Sequence, residues 1–430
     1  MEETMEFIDG GVTAPQGFQA AAIYAGIKAC ANMTKKETAE YTKKLRSGQM
    51  KPENKDDLAL IYADVPCTAA GVFTSNLVKG APITVCQEHL KDGKAQAILA
   101  NSGNANTCNA DGAKKAEAMA DAVAEALLIR EEDVLVASTG VIGQPLPLAP
   151  ILSAVPALAA KRSTSGSLQA AEAIMTTDTV PKNMAVELKL GGKTVRIGGI
   201  SKGSGMIHPN MCTMLCFLTT DAAITPKALD RALRLAVQDS FNMLSVDEDM
   251  STNDTCVILA DGKAGNPEIT ETSEDFQKFT EALKGLCIQL ARAMAKDGEG
   301  ADKLLVCSVS GAADDRNART VAKSVICSSL VKAAMFGADA NWGRVLCAIG
   351  YSGAKVNIHK VDVDFVSPVG SLAVCRDGAG IPFDETLGKK ILAEDEITIQ
   401  VTLHDGSSSA TAFGCDLTYD YVKINGDYRT

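Results

Sequence analysis

The hydroxyl of Thr213 stands where the chain abruptly changes character. The stretch 202–221, KGSGMIHPNMCTMLCFLTTD, passes from a polar, glycine-bearing loop into an apolar run, 214–218, of buried-strand length. Junctions of this kind present side chains at the rim of a sheet, where functional groups concentrate. A threonine hydroxyl is a weak nucleophile and needs a base. Were the Cys212–Thr213 bond cut, Thr213 would carry a free α-amine, with a pKa of about 7.7–8.0, beside its own hydroxyl. On these residues alone, a plain turn entering a strand is the alternative. The glycine pair lacks the Gly-Lys-Ser/Thr ending of a P-loop, which argues against a phosphate cradle.

Other residues carry chemistry of a complementary kind. DVLVASTGVIG brings a strand into a glycine loop at Thr139 and Gly140. Backbone N–H groups in such a loop can face a developing oxyanion, each contributing about 2.7–4 kcal/mol at the transition state. Lys202 offers a cation for a carboxylate. Glu299, between a helix end and a strand, would ordinarily be solvated. His208 is the histidine nearest this chemistry, and both a solvated loop position and a catalytic one fit it. The four histidines lack metal-ligand spacing, so neither a metal nor a resident cofactor is expected. Thirteen cysteines, with no CxxC pair, sit singly in apolar runs, as small hydrophobes do in a reducing compartment.

The positioning elements alternate between strand and helix. LALIYADV (58–65) and GVFTSN (71–76) read as two strands, AQAILANSGNAN as a strand entering a polar glycine loop, and 113–128 as a helix. Residues 145–160 suggest a surface helix, and a hairpin turns at Gly191-Gly192 before delivering the chain to Lys202. Thr225-Pro226 starts a helix, and Thr272 with Asp275 forms a capping-box pattern for the next. The last third reads as strands and loops with a helix near 384–393, and Trp342 reads as a packing residue. With 430 residues, two lobes or one large layered domain are expected. Forty-two basic against 53 acidic residues give a net charge of -11, which argues against a nucleic acid or anionic membrane partner and suits a soluble, cytoplasmic protein. The N-terminal apolar segment, 18–31, is too short and interrupted to span a bilayer.

Six blocks together with the 202–221 stretch resemble the ornithine acetyltransferase family, also called glutamate N-acetyltransferases, of arginine biosynthesis. They are ANSGNANTCNADG (100–112), ASTGVIGQPLP (137–147), IMTTDTVPK (174–182), SVDEDMSTNDT (245–255), VKAAMFGADANWGRV (331–345) and YVKINGDYRT (421–430), and they occur in family order. The resemblance implies a layered α/β (α+β) sandwich with two intertwined lobes and an N-terminal threonine nucleophile. Self-cleavage between Cys212 and Thr213 would give an alpha chain, 1–212, and a beta chain, 213–430, assembled as an α2β2 heterotetramer. The family region of the alpha chain begins near residue 17, and the charged stretch 32–57 resembles an insertion, a solvated helix and loop. Residue by residue, the match makes Thr213 the nucleophile, Thr139 and Gly140 the oxyanion-stabilising pair, and Thr176, Lys202, Thr213, Glu299, Asn425 and Thr430 the substrate contacts.

The implied reaction is ping-pong transfer of acetyl from N2-acetylornithine to glutamate through an acetyl-threonine. Acetyl-CoA as a second donor is left open. The family most often has alanine before the nucleophile, where this chain has Cys212; the small thiol leaves the attacked carbonyl unchanged, so cleavage is expected to persist. A self-processing amidase or aminopeptidase of related architecture is the competing enzymatic reading, and a non-catalytic binding protein the third.

Overall fold

A computed structural model describes residues 5–52, 54–208 and 214–427. Among these residues two sheets form. The first has nine strands, ordered Glu6–Ile8, Lys182–Leu190, Lys193–Lys202, Leu215–Thr220, Thr255–Ala260, Leu58–Phe73, Lys94–Asn101 and Val134–Ser138, with Phe18–Ile23 also paired to Leu58–Phe73. The second has seven, ordered Ala379–Gly380, Gly370–Arg376, Asp362–Ser367, Glu396–Thr402, Leu304–Ala312, Ser408–Cys415 and Leu244–Ser245.

Side-chain alternation along the strands dictates the layering. In Leu304–Ala312, residues 305, 307 and 309 enter one core while Leu304 and Val306 enter another. The helix Asp275–Lys296 lies between the sheets: its Phe279, Leu283, Leu286 and Leu290 share a cluster with Ile197 and Leu218 of the first sheet and Val306 and Phe413 of the second. Gly112–Leu127, Leu148–Lys161 and Ser167–Ile174 cover the far face of the first sheet. Asp315–Cys327, Ser329–Phe336, Trp342–Gly350 and Glu385–Leu392 cover the far face of the second. The result is the layered α/β sandwich, helices alternating with sheets. Ten of the twelve described cysteines are buried in it as small hydrophobes.

The strand Leu215–Thr220 is fully buried and lies between two others, pairing Leu215 with Lys202 on one side, antiparallel, and with Thr255 on the other, parallel. Sequence on either side of residues 209–213 is therefore woven into one sheet. This is the intertwining the resemblance implies.

The hairpin at Gly191-Gly192, the helix after Thr225 and the helix near 384–393 form where expected. Three expectations are corrected and a fourth is narrowed. Residues 58–73 make one strand rather than two, with a register shift between Tyr62 and Cys67, because its first half pairs with Phe18–Ile23 and its second with Thr255–Ala260. The Thr272/Asp275 capping box is not used: the Ser273 hydroxyl closes a turn onto the Thr270 carbonyl at 2.8 Å, and the helix begins at Asp275 without a side-chain cap. The helix Leu148–Lys161 does lie at the surface, with Pro156, Ala157 and Ala160 exposed, but its other face buries Ile151, Val155 and Leu158. The charged 32–57 stretch does form a helix, Lys35–Arg46, opened by a capping box of Thr34 and Glu37, but Tyr41 and Leu45 dock it onto Tyr24 and Cys30 rather than leaving it solvated.

Candidate active site

Two polar loops knit together at the carboxyl ends of adjacent parallel strands, Lys94–Asn101 and Val134–Ser138. Ser138 donates to Asn101 Oδ1 at 2.6 Å, and Asn101 Nδ2 to the Asn104 carbonyl at 2.9 Å. Buried Asn253 clamps both loops, its Nδ2 donating to the carbonyls of Ala105 (2.6 Å) and Ser138 (3.0 Å). Buried amides of this kind satisfy the irregular backbone in place of water. They account for the density of asparagine in the 100–112 block.

This frame holds Thr139 and Gly140 at the rim. Gly140 has φ +131°, and a Cβ there would meet the backbone of Gly103 and, at 2.5 Å, the Asn104 nitrogen, so only glycine fits. The expectation of successive backbone donors is corrected in one respect. The Thr139 N–H already donates to the Asn101 carbonyl at 2.9 Å. What remains to face an oxyanion is the Thr139 hydroxyl and the Gly140 N–H, which has no acceptor among the described residues.

Lys202 closes the strand Lys193–Lys202 and is buried, its Nζ donating to Thr176 Oγ1 at 2.8 Å and Thr139 Oγ1 at 3.3 Å. Its nearest carboxylate, Asp178, lies 3.9 Å away. Burial pushes the ammonium below its ordinary range, while Asp178 works to keep it charged. Glu299, also buried, follows the central helix and accepts from Asn425 Nδ2 at 2.8 Å. Gly205 lets the loop pass against the Glu299 carboxyl, where a Cβ would collide. Asn425 comes from the helix Tyr419–Asp427, tethered by the Thr418 hydroxyl donating to the Gly300 carbonyl at 2.6 Å.

One cavity of about 280 Å³ gathers Thr139, Gly140, Thr176, Lys202, Glu299 and Asn425 with Met214, Ser251, Asn253 and Asp254. Six separate stretches of sequence meet there. Met214, immediately after Thr213, forms part of its wall. Cys212, Thr213 and Thr430 lie outside the described residues. Among the described residues, no cluster of His, Cys, Asp or Glu is arranged to hold a metal.

A buried cation and a buried carboxylate facing one small cavity suit a ligand that carries both charges, as an amino acid does. A model of the ArgJ family matches residues 42–430. The chain belongs to the ArgJ family. The arginine biosynthesis bifunctional protein ArgJ of Symbiobacterium thermophilum is 50% identical over 427 residues, spanning 99% of this chain and 100% of that protein. Its counterpart from Bacillus subtilis is 42% identical over 431 residues, spanning 100% and 99%. Among solved structures, ornithine acetyltransferase complexed with ornithine from Mycobacterium tuberculosis is 36% identical, with a TM-score of 0.40, covering 49% of this chain and 100% of that one.

Two carboxylates of this ArgJ-family chain stand beside the cavity residues without having been singled out by type or spacing. Asp178 lies in IMTTDTVPK, where the lysine four residues on, Lys182, was the available signal. Asp254 lies in the 245–255 block, next to the strand start that pairs with Leu215. It is fully buried, and neither carboxyl oxygen has a hydrogen-bond partner of normal geometry among the described residues. Burial holds its carboxyl well above the usual carboxylate range, although the Ser251 and Thr74 hydroxyls, Lys202 and the Met214 N–H favour the charged form.

His208 occupies neither expected place. It is half-buried in a separate cavity, its Nδ1 3.1 Å from Ser245 Oγ and 3.5 Å from Cys327 Sγ. Trp342 packs against the second sheet's core, as expected.

Proposed function

We propose that this chain is an arginine-biosynthetic acetyltransferase that moves acetyl from N2-acetylornithine to glutamate, with Thr213 as nucleophile. The Thr213 hydroxyl first attacks the Cys212 carbonyl, and hydrolysis of the resulting ester frees the Thr213 α-amine as base. In turnover the Thr213 oxygen attacks the acetyl carbonyl while the α-amine holds the hydroxyl proton. The amide C–N bond breaks, that proton passes to the leaving nitrogen, and ornithine departs. The glutamate amine then attacks the acetyl ester, and a proton returns to the threonine oxygen. The Thr139 hydroxyl and Gly140 N–H stabilise the oxyanion at both steps. Lys202 takes the carboxylate common to both substrates, and Glu299, Asn425, Thr176 and Thr430 complete the pocket.

The observation that carries this reading is the single cavity lined by Thr139, Gly140, Thr176, Lys202, Glu299 and Asn425, with Met214 in its wall. The relatives are called bifunctional, which supports a second activity here, and we propose acetyl-CoA as the second donor to the same threonine. An α2β2 assembly of cleaved chains in the cytoplasm belongs to the same proposal. No described helix is long and apolar enough to cross a membrane.

Intact mass and N-terminal sequencing should find two polypeptides, the second beginning at Thr213. Separate assays should then show N-acetylglutamate formed from N2-acetylornithine and from acetyl-CoA. Activity from an unbroken 430-residue chain, or undiminished turnover by Thr213→Ala, would overturn the mechanism. Release of amine without N-acetylglutamate would favour the amidase instead.

A further inference from the structure

We propose that Asp178 is a positioning residue that holds Lys202 both in place and in its charged form for the substrate carboxylate. This rests on Lys202 being the carboxylate-binding group. Asp178 does not line the cavity; it lies behind it, with its side chain fully buried. Its carboxylate gathers the groups on each side of Lys202. Oδ1 accepts from the N–H of Gly203, the next residue, at 2.7 Å, and Oδ2 accepts at 3.1 Å from the N–H of Thr176, whose hydroxyl contacts Lys202 Nζ. One side chain thus fixes the backbone beside the lysine, its hydroxyl partner and its countercharge.

Asp178 is itself pinned from behind. Lys182 Nζ, fully buried, donates to Asp178 Oδ1 at 2.6 Å and also to Asp297. Asp297 accepts the Thr179 hydroxyl and the Thr179 N–H, the latter at 3.0 Å to Oδ2. The alternating series Lys202, Asp178, Lys182, Asp297 sums to zero charge and ends two residues before Glu299. It therefore ties together the two charges that a substrate amino acid would meet. The direct hydrogen bonds of Lys202 are to neutral hydroxyls, so the charge that compensates its burial comes from nearby carboxylates, of which Asp178, at 3.9 Å, is the nearest. Burial works to raise the Asp178 carboxyl, but Lys202, Lys182 and the Gly203 N–H bring it down to about 2, so it stays ionised. The other charged groups acting on Lys202 are Lys182 and Lys55, which oppose its charge, and Glu299 and Asp254, which favour it.

The test is the pH dependence of KM and kcat for glutamate, measured from pH 6 to 10 on the cleaved enzyme so that the deprotonation of Lys202 in the wild type is also reached. Asp178→Asn keeps the shape and removes the nearest countercharge, so Lys202 loses its proton at lower pH than in the wild type. Relative to wild type, KM should then rise about tenfold for each pH unit above the lowered Lys202 pKa, with little change at pH 6 and a much smaller change in kcat. Asp178→Glu should restore most of the profile. Lys182→Met leaves two carboxylates behind Lys202 and should move the KM profile the opposite way, to higher pH. It also keeps the proposal falsifiable should Asp178→Asn fail to fold. A folded, cleaved Asp178→Asn enzyme whose KM is unchanged, or changed equally at every pH, would overturn the proposal; so would a folded Lys182→Met enzyme with an unmoved profile. Lys202→Met separates the two levels. If it leaves KM for glutamate unaltered, the carboxylate reading of Lys202 falls as well; if it raises KM while the Asp178 profile stays put, only the positioning role falls.

Discussion

Two cavities among the described residues invite comparison, and the larger of the pair holds the more conventional reactive side chains. About 540 Å³ in volume, it is lined by His208, Cys327, Lys323 and Arg319. Their polar atoms are already engaged: Lys323 Nζ donates to the carbonyls of Asn242 (2.7 Å) and Leu244 (2.9 Å), and Arg319 pairs with Asp239 at 2.9 Å. Burial, helped by Lys323, lowers His208 to about 4, and burial raises the Cys327 thiol, so at neutral pH the pair is uncharged. Among the described residues, neither histidine nor cysteine lines the smaller cavity, about 280 Å³, yet Lys202, the Thr139 hydroxyl and the Gly140 N–H converge there with bonding capacity left over. Chemical competence follows from unused, convergent polar groups and not from residue type.

The largest expected contrast comes from the rim of the small cavity. Gly140→Ala forces a side chain against the Gly103–Asn104 backbone and displaces the N–H that we propose as an oxyanion donor. Its kcat should fall by about 10²–10³-fold, with KM little changed, in steady-state assays. A decrease below tenfold would remove the main distinction between the cavities.

Lys323→Met in the large cavity should do the reverse. Leaving two buried carbonyls without their charged donor should cost about 1.5–3 kcal/mol of stability in denaturant unfolding, while kcat/KM stays within about twofold. A large kinetic defect would mean that the second cavity takes part in turnover.

His208→Gln sharpens the comparison through pH. The folded-state pKa of His208 lies below its ordinary 6.5, so the unfolded chain takes up the proton first as pH falls. Stability associated with this group is present above about pH 6.5 and is lost as pH falls toward about 4. Melting temperatures of the variant should decline less across that window, with the kcat/KM profile unmoved at neutral pH.

Asp254→Asn extends the comparison and is read as a slope. Its raised pKa means that the folded state keeps a proton that the unfolded state releases, so wild-type stability declines as pH rises past 3.8. The stability of the variant relative to wild type should therefore increase with pH in denaturant titrations. An unchanged difference from pH 5 to 8 would show that Asp254 is ionised when folded.

Local chemistry made much of this fold readable. The Gly191-Gly192 hairpin, the Thr225 helix start and the strand after Met214 all depend on neighbours in sequence, and each forms as its pattern requires. The misread elements depended on partners elsewhere. The long strand Leu58–Phe73 is continuous because other strands pair with both of its halves, and the charged helix Lys35–Arg46 docks because Tyr24 and Cys30 offer it an apolar face. At the site, Thr139, Gly140, Thr176, Lys202 and Asn425 were legible from the blocks that carry the family resemblance, and Glu299, outside those blocks, from its own match to the family. Asp178 and Asp254 were not, because a carboxylate reads as solvated until its burial is known.

By itself the amino-acid sequence determined the alternation of elements, the family and the residues able to bind an amino acid and transfer an acyl group. These follow from side-chain chemistry and from periodicity along the chain. Only the tertiary structure decided that the Thr139 N–H is already bonded, that Gly140 keeps a donor to spare, that His208 belongs to another cavity and that Lys202 is backed by Asp178. Those outcomes depend on which groups lose water and which partners they meet in its place, and packing brings those partners from distant parts of the chain.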